Sequence, residues 1–458
     1  MNPLATPTTL SRRKFIKTAS LAGAGLLISS SPVRARTDDS KSRILIIGGG
    51  IAGLGAAHKL RNAGFHPVII EARERLGGRI WTHQSGIDLG ASWIHGKAGN
   101  PLMDLVRETK AETFEFDYNN HWRYGSEGEL SDEADRLIDR NFSALEDEIA
   151  KWQDTAERAT PLQQVIGEFS SRLPASERGD LRYAVNSSIT LEYAADPSRL
   201  SLAYFDHGAE QRGGDLLLPG GYFRLLEALR PAAETHLGHI VQEIGWSGNE
   251  VTVLTDNGSF SGAGAIITLP LGVLKSGKVH FRSGLPEGHR QAIQRLGFGT
   301  LDKLALRFPN VAWPSDPHLF GFVGNGLWEE WVNLAPLNGQ PILVGFNGGD
   351  LAKSMEPKSD KDLSDSAMGV LRKMFGASLP PPTEIIATRW RQDPYALGSY
   401  SNYAPGSSPK DRYALAAPLA EHVILAGEAC SSKHPGTVHG ALQSGRDAAR
   451  FFIRHVTP

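Results

Sequence analysis

The stretch between Ile44 and Glu71 constrains this chain more than any other. The apolar run Ile44-Leu45-Ile46-Ile47 enters Gly48-Gly49-Gly50-Ile51-Ala52-Gly53, and Val68-Ile69-Ile70 later leads to Glu71. An apolar strand feeding such a glycine turn, then a helix and a second strand, is a βαβ unit. Gly48 permits the tight turn, Gly50 lets the backbone approach a pyrophosphate, and Gly53 lets the helix pack closely on the strand. The helix N-terminus then faces the phosphates, and Gly64 stands where the helix should end. Glu71 follows Gly53 by 18 residues, near the ~20 expected for a carboxylate that accepts ribose hydroxyls and repels a 2′-phosphate. A glycine turn alone would say little. Here strand, glycines, helix, strand and acid fall in order, and the reading is a dinucleotide site.

A second segment lies near the other end. Leu425-Ala426-Gly427-Glu428-Ala429 precedes His434-Pro435-Gly436-Thr437-Val438-His439-Gly440. A nicotinamide enzyme needs only the first segment. A cofactor reached from both ends of the chain is long, buried and permanently held, which points to FAD and redox chemistry.

The chain has 458 residues, too many for one simple core, so two or three domains are expected. With 48 basic against 50 acidic residues, nothing suggests a nucleic-acid surface. A single cysteine, Cys430, excludes an intrachain disulfide and a cysteine-rich metal site. No G-x-S-x-G or H-E-x-x-H occurs, and His434 and His439 sit inside the glycine-rich segment rather than at a metal spacing. No metal is expected.

Residues 1–35 read as an export signal. Ser11-Arg12-Arg13-Lys14-Phe15-Ile16-Lys17 matches the twin-arginine pattern, the apolar stretch Ala19 to Ile28 follows, and Val33-Arg34-Ala35 resembles a cleavage site. The apolar stretch is shorter than the ~20 residues of a membrane span, so no stable membrane insertion is expected after cleavage. The expected partner is the twin-arginine machinery, which carries folded proteins and so suits one that takes up its flavin first. The expected location is periplasmic or otherwise extracytoplasmic. Without residues 1–35 the chain keeps 43 basic against 50 acidic groups, a mild acidity that favours cationic small molecules.

Residues from Leu130 to Arg182 carry helical periodicity with charged outer faces, as in Leu145-Glu146-Asp147-Glu148-Ile149. Val251 to Thr255, the Asp256-Asn257-Gly258 turn and Ala265 to Thr268 read as a hairpin. Leu304, Leu306 and Phe308 alternate along a strand that leaves Lys303 and Arg307 on its other face. The expected fold class is α/β: a Rossmann-type FAD-binding domain interleaved with an α+β substrate domain. The first is assigned residues 41–100, 215–300 and 415–458, and the second 101–214 and 301–414.

These stretches resemble the flavin amine oxidases, a family holding monoamine oxidases, polyamine oxidases and lysine-specific histone demethylases. The resemblance spans nearly all of the chain beyond residue 35. It is carried by Gly48 to Gly53, Glu71-Ala72-Arg73-Glu74-Arg75-Leu76-Gly77-Gly78-Arg79, Asp88-Leu89-Gly90-Ala91-Ser92-Trp93-Ile94-His95-Gly96, Leu301-Asp302-Lys303, Gly398-Ser399-Tyr400-Ser401 and Gly427 to Gly445. Within the family it is most similar to polyamine oxidases, which share the Gly-Ala-Ser-Trp-Ile-His-Gly and Leu-Gly-Ser-Tyr-Ser stretches.

The resemblance implies roles residue by residue. Glu71 holds the adenosine ribose, with Arg73 and Arg79 as bidentate donors at the diphosphate. Ser92 and Trp93 lie along the flavin, Val241 meets the adenine, Glu428 binds the ribityl end, and Thr437 and Val438 touch the isoalloxazine. Lys303 holds a water at flavin N5 and assists reaction with oxygen; without the motif it would read as a solvent-facing charge. His95 matches a substrate-pocket histidine, and as readily a hydrogen-bonded structural one. Trp390 and Tyr400 form an aromatic wall that steers an amine, and Glu192 meets a distal ammonium or is an exposed surface acid. Ser399 stands where covalent-flavin monoamine oxidases carry the linking cysteine, so non-covalent FAD is expected.

The implied reaction is hydride loss from the α-carbon of a neutral small-molecule amine to flavin N5. Hydrolysis of the iminium follows, and hydrogen peroxide forms when molecular oxygen takes the electrons. Two alternatives stay open: an amine dehydrogenase that passes electrons to a protein carrier, with an alkaloid or amino-acid substrate, and a flavin-binding interaction protein without catalysis.

Overall fold

The computed structural model describes residues 43–209, 211–229, 233–324 and 326–455; the signal expected over residues 1–35 lies outside them. Strand Arg43–Ile47 is the centre of a six-stranded sheet. It pairs in parallel with His66–Ile70 on one side and Gly264–Ile267 on the other. Glu234–His236 extends the sheet beyond His66–Ile70, and Val423–Leu425 extends it beyond Gly264–Ile267. Pro418–Ala420 closes that edge antiparallel. Parallel strands covered on both faces read as unbroken apolar runs, which is why Ile44 to Ile47 shows no alternation. Ile44 and Ile46 pack among residues of the helices Ile51–Asn62 and Val438–His455. Leu45 and Ile47 pack on a four-stranded layer that includes Val241–Ser247, Glu250–Thr255 and Gly258–Gly262.

The expected hairpin is half right. Glu250–Thr255 turns back into Gly258–Gly262, not into the later strand. Residues 264–267 instead enter the parallel sheet, because Ala265, Ile266 and Ile267 are all apolar and fit a position buried on both faces.

Glycines bring the two ends of the chain together. A Cβ on Gly53 would sit 2.1 Å from the Gly48 carbonyl oxygen, and one on Gly445 2.0 Å from that of Ala52. The first helix therefore lies directly against both its own strand and the last helix. Gly53→Ala is expected to force that helix outward, destabilising the apoprotein by ~1–3 kcal/mol, the usual range for overpacking. An unchanged thermal unfolding midpoint would contradict this packing.

A seven-stranded sheet stands opposite. Leu301–Arg307 lies second from one edge, flanked antiparallel by the edge strand Glu384–Ala387 and by Ile342–Gly348. Leu304 and Leu306 face a core shared with helix Asp360–Phe375. Ala305, two residues from Lys303 and so on its face, packs in a separate core with Phe346 and Val332. Both faces are buried, so Lys303 does not reach outer solvent. The helices Asp132–Gln153, Gln163–Arg172 and Arg178–Val185 bury Leu145, Ile149, Val165 and Leu181 in a cluster of their own. Ser131 caps the first of these by accepting from the Ala134 N–H. Strand Asp215–Leu217 pairs with Phe114–Phe116 rather than with the parallel sheet. Among the described residues no helix is long and apolar enough to cross a membrane.

Candidate active site

One cavity of about 1620 Å³ is lined from both sheets. It exceeds the ~300–1,000 Å³ of an ordinary small-molecule pocket. Every site residue expected from the sequence lines it except Gly53, which stands behind Gly48 as a packing glycine.

The dinucleotide end is built by backbone. Gly48 has φ +106°, a turn that an L side chain rarely adopts. A Cβ on Gly50 would meet no atom closer than 4.0 Å, so its backbone stands open to an approaching group. The helix begun at Ile51 has no side-chain cap, which leaves its positive end for an anion. Glu71 is buried at the end of the second strand, and its two oxygens accept from the N–H groups of Gly49 (2.6 Å) and Arg73 (2.8 Å). Trp93 lines the same cavity with a buried indole N–H that has no partner among the described residues. An uncapped helix, a glycine cradle, a terminal carboxylate and an orphaned donor fit a bound dinucleotide.

Two arginines of the cavity have partners within the protein that the sequence does not announce. Arg73 lines the cavity, but its terminal nitrogens grip Asp393 at 2.8 Å each and its guanidinium lies 5.2 Å from the Tyr395 ring centre. The bidentate contact expected with a diphosphate is made to a protein carboxylate. Arg79 lines the cavity too, and its Nη1 donates to the Ser399 carbonyl (2.7 Å) and to Glu428 Oε1 (3.0 Å). Long-range partners of this kind leave no trace in local spacing.

Lys303 is buried, and its ammonium donates to the carbonyls of Asp88 (2.9 Å) and Gly90 (2.7 Å) and to Ser92 Oγ (2.6 Å). The rings of Trp93 and Phe346 are each centred 5.7 Å from it. Burial pulls its pKa down to about 8, against the opposing charge of Asp88. Burial likewise pushes Asp88 up to about 6, although Thr82 and the Tyr222 N–H hydrogen-bond to it.

His95 Nδ1 lies 2.8 Å from Asp215 Oδ2. The same carboxylate accepts from the Gly96 N–H and the Tyr118 hydroxyl. Burial would raise Asp215, but these bonds, His95 first, hold it below its ordinary value. Asp215 and Tyr118 were invisible in the sequence. They stand 120 and 23 residues from His95; the bridge between Ile94 and Leu216 sets Asp215 beside His95, and the pairing of 215–217 with 114–116 brings Tyr118 near. Tyr400 donates its hydroxyl to the carbonyls of Leu191 (2.9 Å) and Glu192 (3.1 Å) and presents its ring to the cavity wall, which Glu192 also lines. Trp390 is anchored by its indole N–H to the Leu89 carbonyl (3.2 Å) and meets Trp81 edge-on at 6.3 Å. Val241 opens its strand at the cavity edge, and Val438 opens the last helix behind a hydrogen bond from Thr437 to the His434 carbonyl. Ser399 is held by Leu301, and burial pushes the Cys430 thiol up to about 12. Among the described residues no group of three or more acidic, histidine or cysteine side chains could hold a metal.

Fold and cavity define a flavin-dependent oxidoreductase whose dinucleotide end and reactive wall come from two facing sheets. Residues 51–451 match the model of the flavin containing amine oxidoreductases. The chain is 35% identical to Polyamine oxidase 4 of Oryza sativa subsp. japonica, over 94% of this chain and 92% of that one. It is 32% identical to Polyamine oxidase 2 of Arabidopsis thaliana, over 89% and 87%. Lysine-specific histone demethylase 1 homolog 2 of the same plant is also 32% identical, over 92% of this chain but 59% of its own length. Among solved structures, putrescine oxidase bound to putrescine superposes with a TM-score of 0.73 at 19% identity, covering 90% of this chain and 99% of that one. The chain belongs to the flavin-containing amine oxidoreductase family, and it is an FAD-dependent amine oxidase.

Proposed function

We propose that this enzyme oxidises polyamines or related aliphatic amines with oxygen as acceptor, and that it does so after export by the twin-arginine route. The observation that carries the reading is the buried Lys303 ammonium, fixed by three acceptors on the wall of the cavity that the glycine cradle also lines. Similarity to polyamine oxidases over nearly the whole chain supports the substrate class.

Bound FAD supplies the two-electron acceptor for an amine α-carbon. Glu71, Gly50 and the start of the first helix hold its adenosine and phosphate portion, and Glu428, Thr437 and Val438 its other end. The aromatic faces of Trp390 and Tyr400 orient a cationic substrate, and Glu192 is a candidate for its distal nitrogen. His95, tied through Nδ1 to Asp215, keeps Nε2 for the proton that the substrate nitrogen must lose. The serine at position 399 and a Cys430 thiol protonated at neutral pH support non-covalent FAD. The export reading rests on Ser11 to Lys17 and the apolar stretch after it.

Hydrogen-peroxide release measured across spermine, spermidine, their acetylated forms, putrescine and aromatic monoamines tests the substrate class. Polyamines should lead; preference for an aromatic monoamine would contradict it. Acid precipitation should leave FAD in the supernatant, and flavin retained on the polypeptide would refute non-covalent binding. Export should fail in an Arg12→Lys, Arg13→Lys variant.

A further inference from the structure

Arg412 has no solvent exposure at all. It lies on the helix Pro409–Ala416, whose start is fixed by a capping box between Ser408 and Asp411. A buried guanidinium needs a compensating charge, because desolvation of an unpaired one is costly. The adjacent acid cannot serve, since Asp411 accepts from Arg158 (2.7 Å) and Arg295 (3.4 Å). Arg412 Nη1 instead donates to Ser401 Oγ (2.7 Å) and to the Ala429 carbonyl (3.1 Å). Ser401 Oγ in turn donates to Glu428 Oε2 at 2.5 Å. The one hydroxyl thus links a buried cation to a buried anion. The guanidinium carbon sits 4.5 Å from the Tyr403 ring centre, and its Nε and Nη2 have no partner among the described residues.

We propose that Arg412 is a positioning residue for cofactor capture: through Ser401 it holds the Glu428 carboxylate fixed and charge-compensated on the cavity wall. This rests on the reading of Glu428 as a group that grips bound FAD. Glu428 receives Arg79 on one oxygen, and Ser401 and the Gly436 N–H on the other. The Cys430 thiol and the Tyr400 hydroxyl, the latter turned to the Leu191 and Glu192 carbonyls, feel the Glu428 charge as neutral groups, both pushed upward by burial first. Burial would raise Glu428 itself, but Arg79 and then Arg412, with the Ser401 and Arg79 hydrogen bonds, hold it below the ordinary carboxylate range. Arg79 retains partial exposure while Arg412 has none, so the inner cation is the one that water cannot replace. A carboxylate held low contributes above its unfolded value and is lost as pH falls through its folded value. Removing Arg412 raises that folded value, so flavin should be released at higher pH.

The test is flavin release from the holoenzyme, followed by fluorescence as pH is lowered, with Kd for FAD measured at neutral pH. Glu428→Gln should weaken FAD binding by about tenfold or more, the scale of one hydrogen bond to a charged group. Arg412→Met should weaken it similarly and move release to higher pH, with Arg412→Lys restoring part of the loss. The double variant should be no worse than Glu428→Gln alone. Ser401→Ala, which deletes one hydroxyl, should shift release in the same direction and settles the matter if Arg412→Met does not fold. Unchanged release in Ser401→Ala, or losses that multiply in the double variant, would overturn the proposal. Wild-type FAD binding in Glu428→Gln would instead remove the cofactor role of Glu428 on which it stands.

Discussion

Lys303→Met should slow oxygen consumption by the reduced enzyme by about 10²–10³-fold, the scale of one electrostatic group placed at developing charge. Anaerobic reduction by the amine should suffer less, because no negative charge on oxygen develops in that half. The ammonium is well fixed for this role, since three acceptors and two aromatic faces leave it a single position. The substitution is also less innocent than its similar shape suggests. It strips the donor from the carbonyls of Asp88 and Gly90 and from Ser92, and each unsatisfied buried group costs about 1–3 kcal/mol. A drop in thermal stability should therefore accompany the kinetic loss. With the group pulled down to about 8, it is charged below that pH and neutral above it. The oxygen-dependent rate should fall as pH rises through about 8, and that limb should vanish in Lys303→Met. If both half-reactions and the pH profile match wild type, Lys303 is a structural lysine.

Glu71→Ala should leave a folded protein with little flavin. The carboxylate is the ribose acceptor in this account, and each hydrogen bond to a charged group contributes ~1.5–3 kcal/mol, or about 10–100-fold in Kd. Glu71 also supports the glycine loop, accepting from Gly49 and Arg73, so the cradle loses its brace together with its acceptor. FAD titration into apoprotein should show weaker binding recovered only at high cofactor concentration. Wild-type occupancy at limiting FAD would place the ribose elsewhere.

What could be read from the sequence were features that short segments determine. The run from Ile44 to Glu71 carries strand, turn, helix, strand and acid within one local pattern, and its geometry emerged as expected down to the packing role of Gly53. Each glycine segment is likewise a local pattern, and a shared dinucleotide is what implies that the two meet at one cavity. What failed depended on distant partners. The strand 264–267 was drawn into the hairpin because sequence proximity favours it, while burial on both faces assigns it to the parallel sheet. Alternation alone would turn Lys303 to solvent; only the family resemblance pointed to the site, and a second layer covers that face. Nothing near Arg73 announces its pair with Asp393, 320 residues away. Asp215, Tyr118 and Arg412 act through contacts across the fold, which no period or spacing encodes.

Anaerobic mixing of the purified holoenzyme with spermidine tests the polyamine oxidase reading. On that reading the flavin absorbance bleaches without oxygen, and admitting air restores it with release of hydrogen peroxide. A flavin that stays oxidised against spermidine, and against every other amine tried, would contradict it.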